Sequence, residues 1–329
     1  ICMIIKKKKE DVNFKQLDEV IRRYVPSGRE VHRDPMYSAL AWKEDLEQVY
    51  APMNIDRALK SIGTLGGGNH FIEVNEYDED HIALVIHSGS RSFGASIAKH
   101  YQDIAYKRLT DQSDLRADTI MTLKFLGREH EIESALKKIQ PVKVNRDFVY
   151  VEGEDFNRYL HDVKIAQKYS HVNRLSMMNI ILSHMDWWGK IEDSFDTVHN
   201  YIDTDNMILR KGAISAQKGE RVIIPLNMRD GSIIAYGKGN PDWNYSAPHG
   251  AGRVMSRTQA RNNVNLEEFK NTMSNVWTSS VSENTLDEAP MAYKPMEDII
   301  DVVGDTLEIE RIMKPLYNFK AEEEFKGYK

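Results

Sequence analysis

Three short segments of this chain each set a histidine among glycines, small polar residues and arginine: Gly66-Gly-Gly-Asn-His70, His87-Ser-Gly-Ser-Arg91 and His249-Gly-Ala-Gly-Arg253. Glycine reaches backbone conformations closed to other residues and lets the main chain approach a ligand closely. Arginine offers a planar fork that matches phosphate. Imidazole serves as a metal ligand or as a nucleophile. Such loops alternate with strand-like and helix-like apolar runs along the whole chain, with no internal repeat and no Gly/Ser tether. That alternation predicts one α+β domain over residues 1–329, with central β-sheets flanked by helices. The loops themselves point to metal-assisted chemistry on phosphate esters.

Apolar periodicity supplies the elements. Residues 11–24 read as a helix with Phe14, Leu17, Val20 and Ile21 on one side, ended by Pro26-Ser-Gly28. Helices are also predicted over 39–50, 54–62, 92–109, 254–260, 266–275 and 296–303, and one long helix or two over 155–188. Residues 71–74 and 82–86 read as strands around a polar turn, a hairpin that would bring His87 near His70. Short β runs follow at 148–151, 207–209, 221–224, 232–235 and 316–319. Residues 111–145 mix helix and turn signals and read as a peripheral insertion. Residues 1–5 read as a buried strand without a beginning, so the sequence is taken to start inside a longer protein.

His249 follows Pro248 and precedes a helical pattern, which places it at a helix N-terminus, where anions bind and a neutral imidazole is favoured. On that reading Arg253 and Arg257, four apart, share one helix face. His199 in Val198-His-Asn200 is unremarkable by itself, and the remaining histidines read as structural or solvated. The formal net charge of −6 argues against a broadly basic nucleic-acid binder. It allows a local basic site, especially with divalent cations to offset phosphate charge. A single cysteine, Cys2, rules out an intrachain disulfide and points to a reducing, cytoplasmic setting. No apolar run approaches the roughly 20 residues of a membrane span.

Set in order, these segments resemble the RtcB RNA ligases. The resemblance rests on Gly63-Thr-Leu-Gly-Gly-Gly-Asn-His-Phe-Ile-Glu73, His87-Ser-Gly-Ser-Arg91, Val198-His-Asn200, Arg210-Lys-Gly-Ala213, His249-Gly-Ala-Gly-Arg253 and Asp287-Glu-Ala-Pro-Met-Ala-Tyr-Lys294. Tyr159-Leu-His-Asp-Val with Asn173-Arg174 resembles the family's long helix. The resemblance implies a ligase that uses GTP and Mn²⁺ to join RNA 3′-phosphate or 2′,3′-cyclic-phosphate ends to 5′-hydroxyl ends, in tRNA splicing or RNA repair. An accessory activator protein is among the implied partners. His249 would be the nucleophile that carries GMP, and His70, His87 and His199 would be metal ligands. Asn69, Glu73, Asn227, Ser232, Arg253, Tyr293 and Lys320 would surround the nucleotide. Two ions are expected in the complete protein, because the family adds an aspartate and a bridging cysteine from an Asp-x-x-Cys segment. That segment should end just before Ile1, which puts Cys2 a few residues too late to be the thiolate. The loop Pro225-Leu-Asn-Met-Arg-Asp-Gly-Ser232 and the tail after Tyr317 also depart from the family pattern and suggest a compact subgroup. Two other readings stay open: a metal-dependent cyclic phosphodiesterase acting on RNA ends, and a non-catalytic RNA-binding relative.

Overall fold

The strands, in chain order, are β1 (Cys2–Lys6), β2 (Phe71–Glu76), β3 (His81–His87), β4 (Ile191–Phe195), β5 (His199–Asp203), β6 (Ile208–Ser215), β7 (Arg221–Pro225), β8 (Ser232–Gly237), β9 (Ser246–Pro248) and β10 (Leu307–Lys320). Seven form one antiparallel sheet in the order β4-β1-β3-β2-β10-β8-β7, and β5-β6-β9 form a second. The computed structural model describes residues 1–321. The mixed α/β architecture, with a large antiparallel sheet flanked by helices, is the one the loop alternation predicts.

The chain divides into two compact units. One comprises residues 1–47, 54–91 and 166 onward and holds both sheets. Its main core joins Ile72, Val74, Tyr317 and Phe319 from the large sheet to Leu17 and Ile21 of the helix Phe14–Tyr24 and to Met177, Ile181 and Leu182 of the long helix Gly153–Met185. Asn13 starts the Phe14–Tyr24 helix by accepting the Gln16 amide at 3.0 Å. The second unit, residues 48–53 and 92–165, is helical and buries a smaller apolar set, among it Phe93, Ile97, Tyr101, Ala105 and Leu123. Its buried Asp162 accepts hydrogen bonds from the Tyr50 and Ala51 amides and from the Tyr101 hydroxyl, at 2.9–3.0 Å.

Several boundaries differ from the sequence reading for local reasons. The helix expected over 39–50 is two short ones, Tyr37–Leu40 and Lys43–Glu47. No strand forms at 148–151; Asn145 accepts the Asp147 amide and closes a 3₁₀ turn over Arg146–Phe148 instead. The single helix Gly153–Met185 covers most of the predicted 155–188. The last strand is far longer than 316–319: β10 pairs β8 through its first half and β2 through its second, with register shifts at 309/311 and 315/317. Strand β4 is absent from the sequence reading, because its residues between Ile191 and Phe195 are polar and largely exposed. Among the described residues no helix is long and apolar enough to cross a membrane.

Candidate active site

The hairpin of β2 and β3 sets Phe71 opposite His87, so His70 and His87 leave the same end of the sheet with ring centroids 5.8 Å apart. His87 also stacks on Phe71 at 5.3 Å. The second sheet brings the other two. His199 starts β5 opposite Ile214, and a register shift follows at Asn200, whose backbone is left-handed (φ 53°). Asn200 Oδ1 accepts the Gly212 amide at 2.7 Å and holds that shift in place. Pro248 pairs with Ala213, which carries the chain directly to His249. Gly212, itself at positive φ, faces the His249 ring; a Cβ there would lie 3.8 Å from it. His249 stacks nearly parallel on His199 at 4.7 Å, and His199 lies 5.0 Å from His87. The four histidines thus form one row of rings assembled from two sheets.

The glycine loop before His70 is shaped by Arg91. Gly66 has φ 88°, and a Cβ on it would fall 1.6 Å from an Arg91 nitrogen. Only glycine allows that guanidinium to lie against the loop, where it donates to the Gly28 carbonyl at 2.7 Å and to Thr64 Oγ1 at 3.1 Å. Asn173 ties the two loops together. Its Oδ1 accepts the Gly63 and Thr64 amides, and its Nδ2 donates toward Thr64, Ser88 and Gly89, all between 2.8 and 3.2 Å. Arg174 donates to the Ser88 carbonyl and pairs with Asp196. Burial pushes the Asp196 carboxyl upward, but the hydrogen bond from His171 and the charge and hydrogen bond of Arg174 hold it well below the usual range.

All four rings are held neutral. Burial, then Arg91, lowers His70 to about 4. Burial, then the neighbouring histidines, puts His87 well below its ordinary value. His199 falls to about 4 chiefly through burial, and His249 is lowered by burial and Lys211. The Leu65 carbonyl lies 2.8 Å from His70 Nδ1, so that nitrogen carries the proton and Nε2 keeps a lone pair. Neutral imidazoles are the form that binds metal or attacks phosphorus. Among the described residues, no group of three or more His, Cys, Asp or Glu side chains is placed so as to hold a metal ion. The donor type suits a divalent ion, whose coordination would need oxygen ligands as well. Cys2 lies in a buried cluster with Ile4, Phe71 and Val85, and burial lifts its thiol to about 12.

A cavity of about 400 Å³ opens beside this row, lined by Asn69, Phe71, Glu73, His87, Asn227, His249, Arg253, Arg257, Glu288, Tyr293, Asn318 and Lys320. Every predicted nucleotide-contacting residue except Ser232 lines it, and Ser232 is fully buried next to the lining Gly231. Asn227 spends its amide on its own turn, accepting from the Arg229 and Asp230 amides and donating to Asp230. Two carboxylates gather the cations. Glu288 takes Lys320 at 2.8 Å, the Tyr293 hydroxyl at 2.6 Å, and Arg253 and Arg257 at 3.3 Å; Asp287 takes Arg261 at 2.9 Å. Burial would raise the Glu288 carboxyl, but Lys320, Tyr293 and Arg257 keep it below its ordinary value.

His249 does not sit at a helix N-terminus. The helix begins at Arg257, where Ser256 and Gln259 form a capping box, and residues 249–255 are loop. Arg253 therefore shares no helix face with Arg257; it bridges to Tyr293 across the loop, with its guanidinium 4.9 Å above that ring. The neutral state expected of His249 arises from burial and Lys211 rather than from a helix dipole. Sequence reasoning left Asn173, Glu288 and Asn318 out of the site and named Arg257 only as a helix-face companion of Arg253. Asn173 and Glu288 stood inside motifs already singled out; Asn318 is a lone polar residue in an apolar strand and carries no local signal.

Fold and site together define a protein with neutral histidines ranged beside a cation-rich cavity of about 400 Å³ on a mixed antiparallel scaffold. The chain belongs to the RtcB family: the family model described as tRNA-splicing ligase RtcB matches residues 5–321. It is similar to the RNA-splicing ligase RtcB of Escherichia coli (strain K12), 31% identical over 330 residues that cover 90% of this chain and 74% of that protein. It is also similar to the tRNA-splicing ligase RtcB of Aeropyrum pernix, at 26% identity over 75% of this chain and 56% of the relative. A third relative, of the same name, comes from Methanopyrus kandleri, at 23% identity over 82% of this chain and 31% of the relative.

Proposed function

We propose that this chain is a GTP-dependent RNA ligase that joins 3′-phosphate or 2′,3′-cyclic-phosphate ends to 5′-hydroxyl ends. The observation that carries the reading is His249: a neutral imidazole at the wall of a cavity rimmed by Arg253, Arg257 and Lys320. Its unprotonated ring nitrogen attacks the α-phosphorus of GTP, forming an N–P bond as the bond to pyrophosphate breaks. The GMP group then passes to an RNA 3′-phosphate, and the 5′-hydroxyl of the second strand displaces GMP and closes the phosphodiester. A cyclic phosphate is first opened by water.

Within this scheme Arg253 and Arg257 meet the phosphates with charge-assisted hydrogen bonds. Tyr293, Glu73 and Lys320 surround the base, with Ser232 buried behind the lining, and Asn69 and Asn227 complete the wall. His70, His87 and His199 would hold Mn²⁺, which supplies positive charge to the phosphates. An accessory activator protein belongs to the same proposal, as do two ions per complete site. Incubation with GTP labelled at the α-phosphate, in Mn²⁺, should give a protein-bound label that is labile to acid and stable to alkali. His249→Ala should abolish it. A wild-type protein that takes no label, or a variant that takes as much, ends the ligase reading.

A further inference from the structure

One face of the large sheet breaks the expectation that buried strands are apolar. Along β2 and β10, Ile72, Val74, Tyr317 and Phe319 turn into the main core, so Glu73, Asn75, Asn318 and Lys320 share the opposite face. All four are buried, and polar groups in such places need partners. Glu73 supplies some. Its Oε1 accepts from Asn75 Nδ2 at 2.9 Å and its Oε2 accepts from Asn318 Nδ2 at 2.7 Å.

Those two bonds fix the carbonyl ends of both amides. Asn75 Oδ1 and Asn318 Oδ1 are buried and lack any hydrogen-bond partner among the described residues. Turning the Asn318 amide over would set its oxygen against the Glu73 carboxylate, so the orphaned acceptor cannot be relieved from within. Asn318 is 1% exposed and, like Glu73, lines the cavity; the two are direct cross-strand partners. A carboxylate and an amide oxygen thus lie side by side in two residues of the cavity floor, a pattern complementary to two adjacent donors.

We propose that Asn318 is a specificity-determining residue that accepts a hydrogen bond from the exocyclic amino group of guanine, with Asn75 a positioning residue for Glu73. The assignment rests on the guanylate reading above. Guanine carries a ring N–H beside that amino group, which matches the carboxylate and amide acceptors in turn. Hypoxanthine keeps the ring N–H and lacks the amino group, so comparison of GMP with IMP isolates the contribution of Asn318. A buried acceptor left unpaired weakens binding substantially.

Calorimetric titration of the protein with GMP and with IMP, in Mn²⁺, reads the ratio directly. Wild type should bind GMP roughly tenfold or more tightly than IMP. Asn318→Leu should bring the two affinities within about twofold, and Asn75→Ala should weaken both while preserving their ratio. A merely structural role for Asn318 would lower both affinities alike. Should Asn318→Leu not fold, Asn318→Ser carries the same expectation. A wild type without preference for GMP, a wild type that binds neither nucleotide, or an Asn318 variant that keeps the preference overturns the assignment. Label taken up from GTP without a GMP preference refutes this assignment alone. A GMP preference lost in Asn318→Leu, with no label on His249, refutes the ligase reading and leaves this assignment standing.

Discussion

Glu73 is the residue whose chemistry depends most on its surroundings. Burial lifts its carboxyl to about 7, against hydrogen bonds from Asn75 and Asn318 that pull it down. The folded value lies above the ordinary 4.5, so the stability tied to the protonated form is fully present below that pH. It is lost as pH rises to about 7, and the loss then levels off at about 3 kcal/mol at most. Urea denaturation should accordingly show wild type losing stability relative to Glu73→Gln between pH 4.5 and 7. A difference that stays flat across that window would show that Glu73 ionises normally. At this scale the sequence was informative wherever a residue stood in a glycine-rich motif. His70, His87 and His249 announce themselves by their neighbours, whereas Asn318 acquires meaning only when β10 lies beside β2.

The elements place these residues through a few polar ties. Asn173, on the helix Gly153–Met185, holds both the Gly63–Thr64 turn and the Ser88–Gly89 turn. Asn173→Ala would leave the Gly63 and Thr64 amides on one loop and the Gly89 carbonyl on the other without this partner, and we expect a loss of about 2–4 kcal/mol in denaturant unfolding. Nucleotide labelling should fall even under conditions where the variant is folded. Gly66→Ala has a different origin. Its positive φ is strained for alanine, and the new Cβ would displace Arg91, so destabilisation of about 1–3 kcal/mol is expected. An additional Arg91→Ala should return part of that loss, and failure of the double variant to recover any stability would refute the steric account. The β2–β3 hairpin was legible because its two apolar runs flank a polar turn. The approach of β5 and β9 to that hairpin was not, since it depends on long-range strand pairing, and no local pattern specifies it. Nor was the full length of β10, because Pro315 and two register shifts divide it into pieces that read separately.

Over the whole molecule, apolar burial is uneven. The unit that holds both sheets carries the large core around Ile72, Leu84, Met178 and Trp187. In the helical unit, Met121, Phe125 and Phe148 are more than 60% exposed, and few large side chains are fully covered. Local stability follows buried apolar contact. Hydrogen exchange should therefore be slowest in β2, β3 and residues 177–182, and faster by orders of magnitude between residues 113 and 150. Equal protection in the two units would contradict this distribution. The α+β architecture was readable because glycine loops punctuate both kinds of apolar run, while the division into two units was not, the expected insertion at 111–145 covering only part of the second. All of this organisation serves one row of neutral rings ending in His249, and the central claim is that His249 carries the guanylate. Tandem mass spectrometry of the protein after incubation with GTP and Mn²⁺ locates the modification directly. The account predicts a GMP adduct on the peptide containing His249, on its imidazole; an adduct on Lys320, on another histidine or on no residue would contradict it.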